Sequence, residues 1–148
     1  HEWFGNQVMP ADAEGAKMLT ESIAEYLSLC IYEAHFGAAS AERFLEVQRK
    51  RYQRGRKRER GTERPLSTVL SHQEYIAYGK GAIAFHELSK TIGQEKLNVL
   101  LRQYLLKYRS RSDYYPTTKD FIQLLKMNTA GVQHPLFDQW LTQVNSLD

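Results

Sequence analysis

Apolar residues return every three or four positions along most of this chain, and the strict alternation of a half-buried strand is scarce. Over residues 14–36 the apolar stripe is Leu19, Ile23, Tyr26, Leu27, Cys30 and Ala34, and Gly37 is placed to stop the helix. Glu14, Lys17, Glu21, Glu25 and Ser28 fall on a different side of it. Ser40 is a candidate cap for a second helix that carries Phe44, Leu45 and Val47 and frays into a basic stretch, which Gly55 and Gly61 interrupt and Pro65 closes. A third helix opens near residues 72–75 and ends at Gly93. Gly79 and Gly81 stand near its start, where each costs roughly 1 kcal/mol relative to Ala, so the pair points to close backbone approach. Leu97, Leu100, Leu101, Tyr104, Leu105 and Tyr108 mark a fourth helix over residues 95–109. After a turn at Tyr114-Tyr115-Pro116, Thr117 or Thr118 caps a short helix with Phe121, Leu124 and Leu125. Pro135 suits the first turn of a last helix with Leu136, Phe137, Trp140, Leu141 and Val144. The pattern predicts an all-α fold of about six helices, in one domain over residues 1–148 without internal repeats.

Composition adds bounds. Of 148 residues, 42% are hydrophobic and 25% charged, which is the balance of a globular domain with a real core. No apolar run approaches the ~20 residues a membrane-spanning helix needs. The lone cysteine, Cys30, has no partner for an internal disulfide and reads as a small core residue. The net charge of +3 is unevenly spread. Residues 49–64 hold Arg49, Lys50, Arg51, Arg54, Arg56, Lys57, Arg58, Arg60 and Arg64 against Glu59 and Glu63, and the rest of the chain is net acidic. Such a block reads first as a solvated, mobile loop of about residues 49–64, with contact to anionic lipid headgroups or to nucleic acid as alternatives. Nucleic acid is not expected as a partner, because only Tyr52 is interleaved as a base-stacking aromatic.

The candidate chemistry lies in three separated segments: His1-Glu2-Trp3-Phe4-Gly5-Asn6-Gln7-Val8, Leu19-Thr20-Glu21-Ser22-Ile23-Ala24-Glu25-Tyr26 and Tyr75-Ile76-Ala77-Tyr78-Gly79-Lys80-Gly81. In order and spacing they resemble the zinc aminopeptidases of the aminopeptidase N type, the thermolysin-like gluzincins, whose motifs read H-x-W-[WF]-G-N-x-V, L-N-E-G-[FL]-A-x-Y and Y-x-K-G. In HExxH enzymes one helix presents two His ligands four residues apart, with a general-base Glu between them. The resemblance implies that His1 is the second His, that Glu21 is the third zinc ligand, and that Tyr78 stabilises the tetrahedral intermediate. It also implies that the first His and the base Glu precede residue 1, as does the family's substrate-amine motif. The fold it implies is the helical half of a thermolysin-like catalytic domain. There are departures. Nineteen residues separate His1 from Glu21 where the family usually has eighteen, and Asn-Glu-Gly becomes Thr20-Glu21-Ser22. With Gly15-Ala16 and Pro65-Leu66, these are more similar to a bacterial branch whose peptidase domain is joined to an ABC-transporter-type permease.

Each assignment has a plainer competitor. His1 can be a tag remnant or an unstructured terminus, Glu21 a solvated helix carboxylate, and Tyr78 a packed tyrosine among nine. Glu25, one turn after Glu21, can orient a ligand or be an ordinary surface carboxylate. Tyr75 reads as core. His86-Glu87-Leu88-Ser89-Lys90 imitates HExxH, but Lys90 replaces the second His and an ammonium does not ligate zinc. His35, His72 and His134 lack partners at ligand spacing and read as surface or capping residues. The expectation is a fragment of a zinc-dependent metallopeptidase acting on peptides, inactive by itself and binding zinc weakly or not at all. The upstream part of the same domain, and permease segments of a bacterial membrane-associated protein, are the expected partners. The competing class is a non-catalytic, peptidase-like interaction or gating module of a membrane transporter.

Overall fold

A computed structural model describes residues 2–59, 61–145 and 147. The described residues form an all-α domain with six helices and no strand. These are α1 (Ile23–Phe36), α2 (Ala38–Arg58), α3 (Gly81–Ile92), α4 (Gln94–Tyr108), α5 (Thr118–Met127) and the short α6 (His134–Phe137). A π-helical turn precedes α1 at Met18–Ser22, a second precedes α3 at Tyr75–Lys80, and a third follows α6 at Asp138–Thr142. Among the described residues no helix is long and apolar enough to cross a membrane.

The core draws one face from each element. Met18, Leu19, Ile23 and Tyr26 meet Ile76, Ala84, Phe85 and Leu88, and α4 contributes Leu97, Leu101 and Tyr104. Phe4 and Val8 staple the N-terminal turn into the same core, with Phe4 stacked 6.4 Å from Tyr104. Gly37 and Gly93, at φ of 79° and 91°, each end one helix and start the next. The Thr117 and Asp120 side chains form the capping box of α5, and Pro135 sits in the first turn of α6, as their positions in the sequence predict.

Three expectations need correction. Ser40 does not cap α2, because the helix starts directly after Gly37; Ser40 lies inside the first turn and its hydroxyl donates back to the Phe36 carbonyl at 3.1 Å. The basic stretch is not a loop over its first part, because α2 continues to Arg58. Ala41, Leu45, Gln48 and Tyr52 keep a buried inner face through it, so the cations fall on the remaining sides. Gly55 supports this packing: a Cβ there would lie 2.1 Å from the Cβ of Tyr75. Cys30 is only half-buried, with the Gln94 amide donating to its sulfur at 3.2 Å. The end of α1 outruns the core, which also leaves Ala34 and Phe36 exposed.

The Gly79/Gly81 pair does mark close approach. A Cβ on Gly79 would stand 2.9 Å from both the Gln48 carbonyl oxygen and the Tyr52 nitrogen of α2. One on Gly81 would stand 2.1 Å from the Ser22 hydroxyl. Alternate sides of one short segment therefore press on two different helices. Gly79→Ala is expected to cost about 2 kcal/mol or more, because the obstructing atoms are backbone. Gly131→Ala, with nothing within 4 Å of its Cβ position, should be close to neutral. Urea denaturation of both variants tests this.

Candidate functional site

The two π-helical turns carry the two central candidate residues. Glu21 lies in Met18–Ser22 and Tyr78 in Tyr75–Lys80. The turns are joined directly: the Ser22 hydroxyl donates to the Ala77 carbonyl at 2.6 Å, and both groups are buried. A π-turn holds one residue more than an α-turn over the same rise, and such turns gather at functional sites.

The Tyr78 phenol stands near the Glu21 carboxylate, and Thr20 donates to that carboxylate at 3.3 Å. Burial, with the Glu21 carboxylate nearby, pushes the Tyr78 phenol up to about 12. The Arg51 guanidinium lies over the Tyr78 ring, 4.2 Å from its centroid, and opposes that rise. Glu25 faces the same group. It accepts from the Gln48 amide at 2.7 Å, and burial holds its carboxyl above the usual range against the pull of Arg51. The structure therefore brings Glu21, Glu25 and Tyr78 together. His1 lies outside the described residues.

A buried ion pair fixes the other side of this segment. Lys80 is 0% exposed and its ammonium lies 2.8 Å from the Glu63 carboxylate, which is 2% exposed. The second carboxylate oxygen accepts from the Tyr52 hydroxyl at 2.9 Å and pairs with Arg56 at 3.0 Å. Glu63, Arg51 and Gln48 are neighbours of the candidate group that the sequence does not point to directly. One signal was available: Lys80 stands in an otherwise apolar run, Ile76 to Phe85, and a lysine buried there needs a carboxylate.

Other candidates separate from this group. His86 is half-buried on α3 with its imidazole held below the usual range by burial, while Lys90 pairs with Glu87 at 2.9 Å. His35 and His72 are exposed, and His134 stacks 5.8 Å from Phe137 at the start of α6. Tyr75 packs against the core. A cavity of about 660 Å³ lies on another side of α1 between Trp3, Leu27, Ile31 and Asn98, and none of Glu21, Glu25 and Tyr78 lines it.

Zinc takes imidazole and carboxylate donors, and Glu21 is of that kind. Among the described residues, however, no three His, Cys, Asp or Glu side chains stand close enough to hold a metal ion. The described donors match zinc in type and fall short in number.

Comparison with known proteins decides the family. The model of the peptidase family M1 domain matches residues 1–140. The chain belongs to peptidase family M1. Searches of curated proteins and of solved structures found no significant match. The family is one of metallopeptidases, generally zinc-dependent, so the M1 chain is a hydrolase-family domain built from helices.

Two outcomes test the geometry without a metal. Glu63→Leu should destabilise the chain by about 3–5 kcal/mol, because it strands the Lys80 ammonium, and adding Lys80→Met should recover most of that loss in urea denaturation. The Tyr78 Cζ resonance should keep its phenol shift at pH 10.5, where a free tyrosine, titrating near ~10, is mostly ionised. The folded-state value is the higher one, so the stability this phenol contributes is complete below the free value and is lost as pH rises from about 10 to about 12. Tyr78→Phe should flatten that fall.

Proposed function

We propose that Glu21 and Tyr78 belong to the active site of a zinc-dependent, aminopeptidase-like enzyme that hydrolyses peptide bonds. The observation that carries this reading is the juxtaposition of Glu21 and Tyr78 on two π-turns that the Ser22–Ala77 hydrogen bond joins, in a chain of peptidase family M1. Glu21 and His1 would each present one donor to the metal. Bound zinc supplies a water acidified towards neutral pH. Glu25 positions the site by holding Gln48 and sharing the field of Arg51. Tyr78, a phenol kept protonated, donates a hydrogen bond to the oxyanion that develops on the scissile carbonyl. Lys80, paired with Glu63, and Gly79 hold the phenol in place without touching substrate.

The reading extends to the 148 residues as they stand. In this reading residues 1–148 by themselves offer the metal one imidazole, His1, and one carboxylate, Glu21, and the general base of HExxH is not among them. Thr20 and Ser22 around Glu21, with nineteen residues between His1 and Glu21, favour the bacterial permease-fused branch, in which a membrane permease is the partner.

The 148-residue chain should therefore show no turnover of an aminoacyl reporter; measured turnover that co-purifies with it overturns the account of the missing base. A chain extended upstream through HExx should bind one zinc, and Glu21→Ala should abolish that binding. Stoichiometric zinc in the variant would refute the ligand assignment. In the extended enzyme Tyr78→Phe should lower kcat about 100-fold or more with little change in KM. An extended sequence lacking that His or Glu would instead favour the non-catalytic module.

A further inference from the structure

The basic stretch is outside the peptidase reading, and its helical form changes what it can do. A cation-rich loop is solvated in many conformations, whereas α2 holds its cations at fixed places. Arg43, Val47, Lys50, Arg54 and Lys57 follow one another at steps of four, three, four and three, so they form one stripe along the exposed face. From Arg43 to Lys57 that stripe is about 21 Å long at ~1.5 Å per residue. Arg49 and Arg58 flank it and are exposed. Lys50 is paired with Glu46 at 3.1 Å and Arg56 with Glu63, whereas Arg43, Arg49, Arg54, Lys57 and Arg58 form no ion pair among the described residues. Glu42 and Glu46 confine the positive field to the C-terminal two-thirds of the helix.

We propose that this exposed face of α2 docks on an anionic lipid surface. The charge complements phosphate and carboxylate headgroups, and several adjacent cations act together there. Two further observations separate lipid from nucleic acid. Tyr52, the one aromatic interleaved with the cations, is 0% exposed, and Gln48 is buried, so neither can stack on a base or read its edge. The exposed apolar groups lie where an interfacial helix uses them. Val47, 59% exposed, is in the stripe, and Tyr32 and Phe36, with ring centroids 5.7 Å apart, form an exposed apolar pair at the turn that leads into α2, with Phe36 68% exposed. The proposal is independent of the peptidase reading and needs no metal.

The test uses the 148-residue chain and sedimentation with vesicles of phosphatidylcholine, alone or mixed with phosphatidylserine. The chain should sediment with the mixed vesicles, not with pure phosphatidylcholine, and raising the salt should release it. Arg54→Glu/Lys57→Glu/Arg58→Glu should weaken partitioning on the order of 100-fold. A charge-matched control, Lys96→Glu/Lys107→Glu/Arg109→Glu on the other side of the fold, should bind nearly as the parent does. All six positions are exposed, so both variants should keep the parent's helical circular dichroism. Equal binding to both vesicle types, no binding to the mixed vesicles, or equal losses in both variants overturns the proposal. So does tighter binding to random duplex DNA than to mixed vesicles at the same salt.

Discussion

The site depends on one buried ion pair and the two glycines beside its lysine. Lys80 has no exposure, and its ammonium is tolerated inside the fold because Glu63 reaches it from the segment after α2. That segment is thereby tied to α2, through Tyr52 and Arg56, and to the turn that carries Tyr78. Gly79 and Gly81 remove the side chains that would hold this turn away from its neighbours. The turn rests on α2 with one side and on Ser22 with the other, and its register is fixed against both. Replacing such a pair with apolar residues is often neutral for stability. Its importance here is that it leaves the turn a single place to sit.

The paired π-turns follow from the same constraint. A regular α-helix through Met18–Ser22 would rotate Glu21 by a residue relative to the helix that follows, and a regular helix through Tyr75–Lys80 would do the same to Tyr78. Each widened turn shifts its side chain while keeping the helix beyond it in phase with the core, where Ile23 and Tyr26 pack on Phe85 and Leu88. The bond from Ser22 to the Ala77 carbonyl uses an acceptor within a π-turn, where backbone pairing is less regular. Core packing and site geometry are therefore set by different residues of the same two helices.

Much of this was legible in the chain and some was not. The stripe of α4 and the Thr117 cap were legible because each depends on residues within a turn or two of one another. The close approach at Gly79 and Gly81 was legible as a need, since glycines in a helix cost stability without a neighbour to accommodate, but the neighbour was not nameable. The basic helix was misread because Gly55 and the density of like charge argue locally for a loop. What overrides them is tertiary: Tyr52 and Gln48 are buried, and Tyr75 occupies the space a side chain at Gly55 would need. The π-turns leave no mark on composition. The burial of Glu63 was hidden for a similar reason, since one of two acids among nine cations looks like a local counter-charge until the fold brings Lys80 to it.

The charges around Tyr78 bear on what that phenol can do. Glu21 and Glu74 stand on one side of it and Arg51 lies over its ring. Glu74 is partly offset by Lys17 at 3.2 Å, so Glu21 and Arg51 are the near opposing charges. Burial and the carboxylates keep the proton on the oxygen; the guanidinium limits how far they do so. A phenolate would repel a developing oxyanion, and a phenol exposed to water would share its hydrogen bond with solvent. Under the proposed role, a phenol that keeps its proton and is held by its ring beside a carboxylate would need little reorganisation to turn towards a developing oxyanion, which is what a preorganised donor requires.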